Sequence, residues 1–175
     1  MVLMRGNMHA ALGAAIGTAV MTTTQTDDAG VVFFGCCMLG AVFPDIDLPD
    51  SKLGHLIRPL SRLLQKTFGH RGFIHTPLNA AVLTLAYYLF TRVAEPGAFR
   101  IVASGFLCGF FAHLLQDTFT KGGIMWLFPF PLKIHFTNIG SDSPMCVLIT
   151  IGLIVASCVL FCRFPALGNW PLLLE

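Results

Sequence analysis

The sequence predicts an all-α fold: a polytopic helical membrane protein with about four to five membrane helices and one basic amphipathic helix at the interface. Three observations carry this. Only 11% of the 175 residues are charged, 55% are hydrophobic and the mean hydropathy is +0.74, whereas a soluble domain is about 25% charged. Apolar runs recur along the whole chain, divided by short polar stretches. Two of these, Pro44–Ser51 and Phe68–Pro77, concentrate aspartate and then histidine and arginine in a chain otherwise dominated by apolar spans. The length suits a single helical membrane domain over residues 1–175. A formal net charge of +2 gives no electrostatic footprint for nucleic acid. All six cysteines sit inside apolar runs without a CxxC pair, so they read as small buried hydrophobes.

The first apolar segment runs from Met8 to Met21 and opens with His9, with Gly13 and Gly17 following at intervals of four. That spacing puts a narrow small-residue face below one imidazole, suited to close helix packing in lipid. A signal peptide is the competing reading, since Arg5 precedes a short apolar core, but the Thr22–Thr26 run is no small-residue cleavage site. Asp27, Asp28 and Gly30 form an acidic turn before the second segment, Val31 to Phe43. It leads into Pro44-Asp-Ile-Asp-Leu-Pro-Asp-Ser51, three carboxylates and two prolines within seven residues, which cannot continue a buried helix. Both segments fall short of the roughly 20 residues of a spanning helix.

From Leu53 to Phe68, leucines and isoleucine follow 3–4 spacing while Arg58, Arg62 and Lys66 line another face. This reads as a basic helix lying on the membrane and favouring anionic phospholipid headgroups, with Pro59 either kinking it or starting its second part. Phe68-Gly-His-Arg-Gly-Phe-Ile-His-Thr-Pro77 follows. His70 and His75, five apart, would sit about 140° apart on an unbroken helix, and a bend at Gly72 would bring them together. Leu78 to Val93 makes a third span. In the fourth, Ile101 to Gln116, the residues Gly105, Gly109, His113 and Asp117 recur at strict intervals of four and form one stripe. Met125 to Phe136, broken by Pro129 and Pro131, reads as an interfacial or re-entrant loop, and residues 145–162 as a plain anchor helix.

Alternating the segments from an inside N-terminus places Arg5, Lys52, Arg58, Arg62, Lys66, Arg71, Lys121 and Lys133 inside. Arg92, Arg100 and Arg163 fall outside with Asp27, Asp28 and Glu95. This follows the positive-inside rule and predicts a multi-pass membrane protein with a cytoplasmic N-terminus. The same alternation collects His9, Asp45, Asp47, His70, His75, His113 and Asp117 at one membrane face. Polar groups at such depth are costly unless paired or functional. A mixed His/Asp set suits a divalent metal, zinc before manganese or iron, rather than a thiolate site.

The ordered set of His9 with Gly13, Pro44-Asp-Ile-Asp with Ser51 and Gly54, His70-Arg-Gly, His75-Thr, and His113-x3-Asp117-x4-Gly122 resembles the YdjM-type bacterial inner-membrane proteins. Residues 5–132 carry that resemblance. It implies a metal-dependent hydrolase, distantly similar to zinc-dependent phospholipase C and P1-type nucleases, which also use an HxxxD helix pair. It implies metal ligation by His9, one of Asp45 and Asp47, His75, His113 and Asp117. The later HxxxE pair of the phospholipases has no counterpart here, since His135 lacks an acid four residues on. Asp45 and Asp47 alternate in direction on an extended loop, so one can bind while the other orients a histidine. The assignment adopted counts Asp45 as a ligand and places Asp47, His70 and Arg71 in catalytic roles, Arg71 for its fit to phosphate. His55 and His135 read as interfacial. The function expected is hydrolysis of a phosphoester or phospholipid. A metal-stabilised, non-enzymatic adaptor or assembly protein is the alternative. An ion carrier fits less well, because the cluster lies at one face and no inverted repeat is visible.

Overall fold

The computed structural model describes residues 3–24, 28–69, 71–93, 97–141 and 143–162. Its regular structure is helical: α1 (Leu3–Thr24), α2 (Asp28–Val42), a 3₁₀ turn (Phe43–Asp47), α3 (Lys52–Leu56), α4 (Arg58–Phe68), a second 3₁₀ turn (Phe73–His75), α5 (Pro77–Val93), α6 (Gly97–Thr118) and α7 (Pro144–Cys162). Among the described residues there is no strand, only an isolated antiparallel bridge between Ile124 and Ile134. Among the described residues, three stretches are long and apolar enough to cross a bilayer: Ala29–Asp47, Phe99–Thr118 and Pro144–Cys162. The rest of the expected four to five would have to come from α1 and α5. α1 has 22 residues but carries Asn7, His9 and four threonines, and α5 has only 17 residues.

Helix α2 is the centre of the bundle, packed against α1 on one side and α6 on the other. The glycine spacings explain how closely. A Cβ at Gly109 would lie 1.9 Å from the Cys37 carbonyl oxygen, and one at Gly40 would lie 2.0 Å from that of Phe106. The α2 and α6 backbones therefore touch where the four-residue stripe predicts a close approach. Gly13 and Gly17 bring α1 onto Ala41 and Phe34 of α2 in the same way. A small buried core of Ala80, Phe110, Leu114 and Ile124 joins α5 and the 119–143 segment to α6.

The stretch expected to form one amphipathic helix is two. Ile57 adopts φ −126°, ψ 47°, and Pro59 opens the first turn of α4. Proline thus starts the second helix instead of kinking a continuous one. Arg58, Arg62 and Lys66 are exposed on α4, and so are Leu60 and Leu63. This is the pattern of a helix lying at a membrane surface. The 125–136 loop is non-helical; the Ile124–Ile134 bridge closes it, and the Trp126 indole N–H donates to Thr118 Oγ1 at the end of α6.

Gly109→Ala is expected to lower stability by about 1–3 kcal/mol through overpacking against backbone. Gly35→Ala, where an added Cβ meets nothing within 4 Å, should be neutral. Fluorescence-detected gel filtration after a heat step compares the two.

Candidate functional site

Four polypeptide turns meet at one end of the bundle. His9 lies near the start of α1. Asp45 and Asp47 follow α2. Arg71 and His75 precede α5, and His113 and Asp117 close α6. All are nearly or fully withdrawn from solvent: His75 and His113 are 0% exposed, Asp47 1%, Asp117 2%, His9 and Asp45 4%, and Arg71 8%.

The acid turn is built by its own sequence. Pro44 favours the tight 3₁₀ turn, and Ser51 Oγ donates to the Asp45 carbonyl oxygen at 2.7 Å while accepting from the Gly54 N–H at 2.9 Å. A Cβ at Gly54 would lie 2.0 Å from the Leu48 carbonyl oxygen, so only glycine lets the chain fold back this tightly. Asp50, the third carboxylate of the stretch, is exposed. Before α5, Thr76 supplies the helix cap, its Oγ1 accepting from the Asn79 N–H at 3.2 Å. His75 is therefore not the cap and is left to point inward.

Between α4 and His75 the reversal differs from the bend expected at Gly72. Positive φ falls at Gly69 (73°) and Arg71 (60°). Gly72 is needed for space, since a Cβ there would lie 1.8 Å from the Phe68 carbonyl oxygen. His70 lies outside the described residues. The Arg71 N–H donates to Asp47 Oδ2 at 3.3 Å, which ties this turn to the acid turn.

The side chains converge in a definite order. His113 Nδ1 lies 2.7 Å from the Ala41 carbonyl oxygen, so Nδ1 carries the proton and donates. Nε2 is then a lone-pair nitrogen, and it is buried without a hydrogen-bond partner. His9 stacks on this ring at 3.8 Å between centroids, with its own Nδ1 buried and unpartnered. Asp45 Oδ2 is buried and unpartnered as well. Asp47 Oδ2 sits 3.2 Å from His75 Nδ1, leaving His75 Nε2 to face Asp117 Oδ2 at 3.9 Å. Burial alone would push the His75 pKa down, but the Asp47 carboxylate, helped by Asp117 and Asp45, outweighs it and holds the pKa above its ordinary value.

Two groups of donor atoms each lie within 4.8 Å of one another: His9, Asp45 and His113, and His75, His113 and Asp117. His113 Nε2 to Asp117 Oδ2 is 3.7 Å. That is too long for a hydrogen bond and near the roughly 3.3 Å between ligand atoms around a tetrahedral ion with 2.0–2.1 Å bonds. The donors are imidazole nitrogens and carboxylate oxygens with no thiolate, a set suited to zinc, manganese or iron. The residues fit a divalent metal.

The structure brings together His9, Asp45, Asp47, Arg71, His75, His113 and Asp117, and leaves His55 and His135 exposed and apart. Asp47 stands behind His75 rather than in either donor group, the arrangement in which a carboxylate fixes a ligand's tautomer. Arg71 is committed to Asp117, with Nη2 at 2.8 Å from Oδ1. Gly122 makes room for it: a Cβ there would lie 1.4 Å from Arg71 Nη1. The residue missed from sequence is Ala41, which acts through a backbone carbonyl that no side-chain pattern reports.

A helical bundle with bilayer-length apolar helices and a buried His/Asp centre at one end defines a membrane protein with a candidate metal site. Comparison with known proteins narrows the class. The chain belongs to the YdjM inner membrane protein family, whose model matches residues 4–171. It is 32% identical over 161 residues to "Uncharacterized protein YvsG" of Bacillus subtilis (strain 168), covering 90% of this chain and 94% of that one. It is 36% identical over 93 residues to "Inner membrane protein YdjM" of Escherichia coli (strain K12), covering 53% of this chain but only 46% of that protein. The same figures hold for the Shigella flexneri protein of that name. No solved structure matches.

Arg71→Ala should lower the stability of metal-stripped protein by about 3 kcal/mol, because Asp117 is left buried without its cation. Arg71→Lys should recover only part of this, since lysine cannot reproduce the planar fork. Chemical denaturation in detergent, with chelator present, reads both.

Proposed function

We propose that this protein is a membrane-bound, metal-dependent hydrolase that acts on a phosphoester from the cytoplasmic membrane face. The observation that carries the reading is a set of buried donor atoms without partners. Among the described residues, His9 Nδ1, Asp45 Oδ2 and His113 Nε2 are buried with no hydrogen-bond partner, and His9, Asp45 and His113 form one of the groups whose donor atoms lie within 4.8 Å of one another. A divalent cation would satisfy them together. Buried polar groups left unsatisfied are costly to a fold.

His9, Asp45, His75, His113 and Asp117 would hold the cation, with zinc the expected metal and manganese or iron suited to the same donors. When bound, a divalent ion supplies Lewis acidity toward phosphoryl oxygen and lowers the pKa of bound water. The chain's own residues do the rest. The Ala41 carbonyl fixes the His113 tautomer, and Asp47 fixes that of His75. Arg71 holds Asp117 in place and carries the only guanidinium described in the centre. Contact with a phosphate would require it to share or leave that partner. His70, next to it in sequence, is placed in the site with three roles open to it: metal ligand, partner that orients a ligand, or general acid. The hydrolase class itself rests on the family resemblance and on this donor set.

The cytoplasmic orientation is supported by charge. Arg58, Arg62, Lys66, Lys121 and Lys133 are exposed at the end of the bundle that holds the centre, against Arg92 and Arg100 at the other. The basic face of α4 would hold anionic phospholipid beside the centre. One observation favours a second reading, a metal-stabilised protein without catalysis. Every candidate ligand is at most 4% exposed, as in a closed structural site.

Metal-loaded protein assayed against a phosphomonoester, a phosphodiester and a phospholipid is expected to cleave at least one. Asp47→Asn should weaken metal affinity about 10–100-fold while leaving the folded yield intact. Absence of cleavage on all three substrates, with ligand substitutions lowering only abundance, would select the structural reading. Alanine at Arg58, Arg62 and Lys66 together should remove any preference for anionic over zwitterionic vesicles in the same assay.

A further inference from the structure

An open groove of about 380 Å³ lies near the centre, between α1, α6 and α7. This lies within the range of small-ligand pockets, about 300–1,000 Å³. It exists because α7 packs chiefly on α1, which forms the floor while α6 and α7 stand apart as walls. Its lining changes character along its length. Gln116, Thr120, Thr137 and Cys146 mark one end, and Leu12 and Leu153 lie further along. From Cys146 to Leu153 is seven residues of helix, about 10 Å of rise. The polar end lies near the His/Asp centre: the lining residues Met8 and Gln116 are the chain neighbours of His9 and Asp117. At this end Gln116 Nε2 donates to the Met8 carbonyl oxygen at 3.4 Å, and Gln116 Oε1 is buried with no partner.

We propose that this groove holds one acyl chain of a membrane lipid, with the lipid's phosphate at the polar end beside the His/Asp centre. Two of its three walls decide the occupant. Phe99–Thr118 and Pro144–Cys162 are both bilayer-length apolar stretches, so the medium at the groove mouth is hydrocarbon, not water. Leu115, Phe119 and Ile149 line the groove yet remain 52%, 49% and 48% exposed. An apolar slot open to lipid fills with lipid tail, and its end near the His/Asp centre, where Gln116 Oε1 is buried without a partner, is where the tail would pass to the polar head. A water-soluble phosphoester would leave this surface unused. The substrate class of the centre is therefore a lipid phosphoester; this last step alone rests on the hydrolase reading.

The test is photo-crosslinking of full-length protein in vesicles doped with a phospholipid that carries a diazirine in its acyl chain. Labelled positions are mapped by peptide mass spectrometry. Ile149→Trp and Leu153→Trp fill the groove from α7, which carries no candidate ligand, so metal content and folded yield should match wild type. The expected result is labelling concentrated on Leu12, Ile149 and Leu153, falling roughly tenfold in either tryptophan variant. Labelling of outward-facing Leu148 and Val155 should stay constant. Labelling no stronger in the groove than at Leu148 and Val155, or unchanged by both variants, overturns the lipid site. If groove labelling is present but metal-loaded protein hydrolyses neither a lipid nor a soluble phosphoester, the lipid site stands and the hydrolase reading falls. If a soluble phosphoester is hydrolysed and no lipid is, the lipid substrate class is overturned.

Discussion

The contact on which the centre depends is the 2.7 Å approach of His113 Nδ1 to the Ala41 carbonyl oxygen. It is possible because α2 ends there. Ala41 lies in the last turn, where carbonyls lose their intrahelical donors. The i+3 donor of the following 3₁₀ turn would be Pro44, which has no N–H. The freed carbonyl is met by a histidine one turn beyond Gly109, on the face where the α2 and α6 backbones touch. Close packing, helix termination and tautomer selection are thus one event. The proline that stops α2 also starts the turn carrying Asp45 and Asp47, so the acids arrive beside the ring that the same residue helped to orient.

Electrostatics then limits what the centre can be. Carboxylates withdrawn this far from water demand cations, and Arg71 pairs with Asp117. Its side chain reaches Asp117 because Gly122 has no Cβ, and its main-chain N–H reaches Asp47. One residue therefore links the acid turn, the turn before α5 and the end of α6. The cost is a positive φ at a non-glycine residue, a conformation the surrounding contacts have to hold. The unpartnered Asp45 Oδ2 and the lone-pair nitrogen of His113 face the same space.

Much of this was legible in the sequence because periodicity and composition report on helices and their faces. The interval of four through Gly105, Gly109, His113 and Asp117 reads directly as a packing stripe ending in two ligand types, and the structure keeps that stripe. Pro44-Asp-Ile-Asp reads as a turn for the same reason that it is one. What sequence could not show are relations across elements. Nothing in the chain marks Ala41 as a hydrogen-bond partner, because its side chain takes no part. The division of labour between Asp45 and Asp47 follows from which histidine each meets, which depends on a turn 24 residues away at Arg71. The bend expected at Gly72 falls at Gly69 and Arg71, since Gly72 answers a steric demand from Phe68 rather than a conformational one. The span count is least legible: α1 is long but threonine-rich and α5 is short, so hydropathy alone leaves both at the margin.

The measurement that most directly tests a divalent metal centre built around His113 is elemental analysis of detergent-purified protein from metal-supplemented growth, made on wild type and His113→Ala with their folded yields. The account predicts stoichiometric zinc, manganese or iron in the wild type and its loss from a variant that still folds. Wild-type protein without any of these metals, or a His113→Ala protein that keeps its full complement, would contradict it and leave a polar cluster whose role is helix packing.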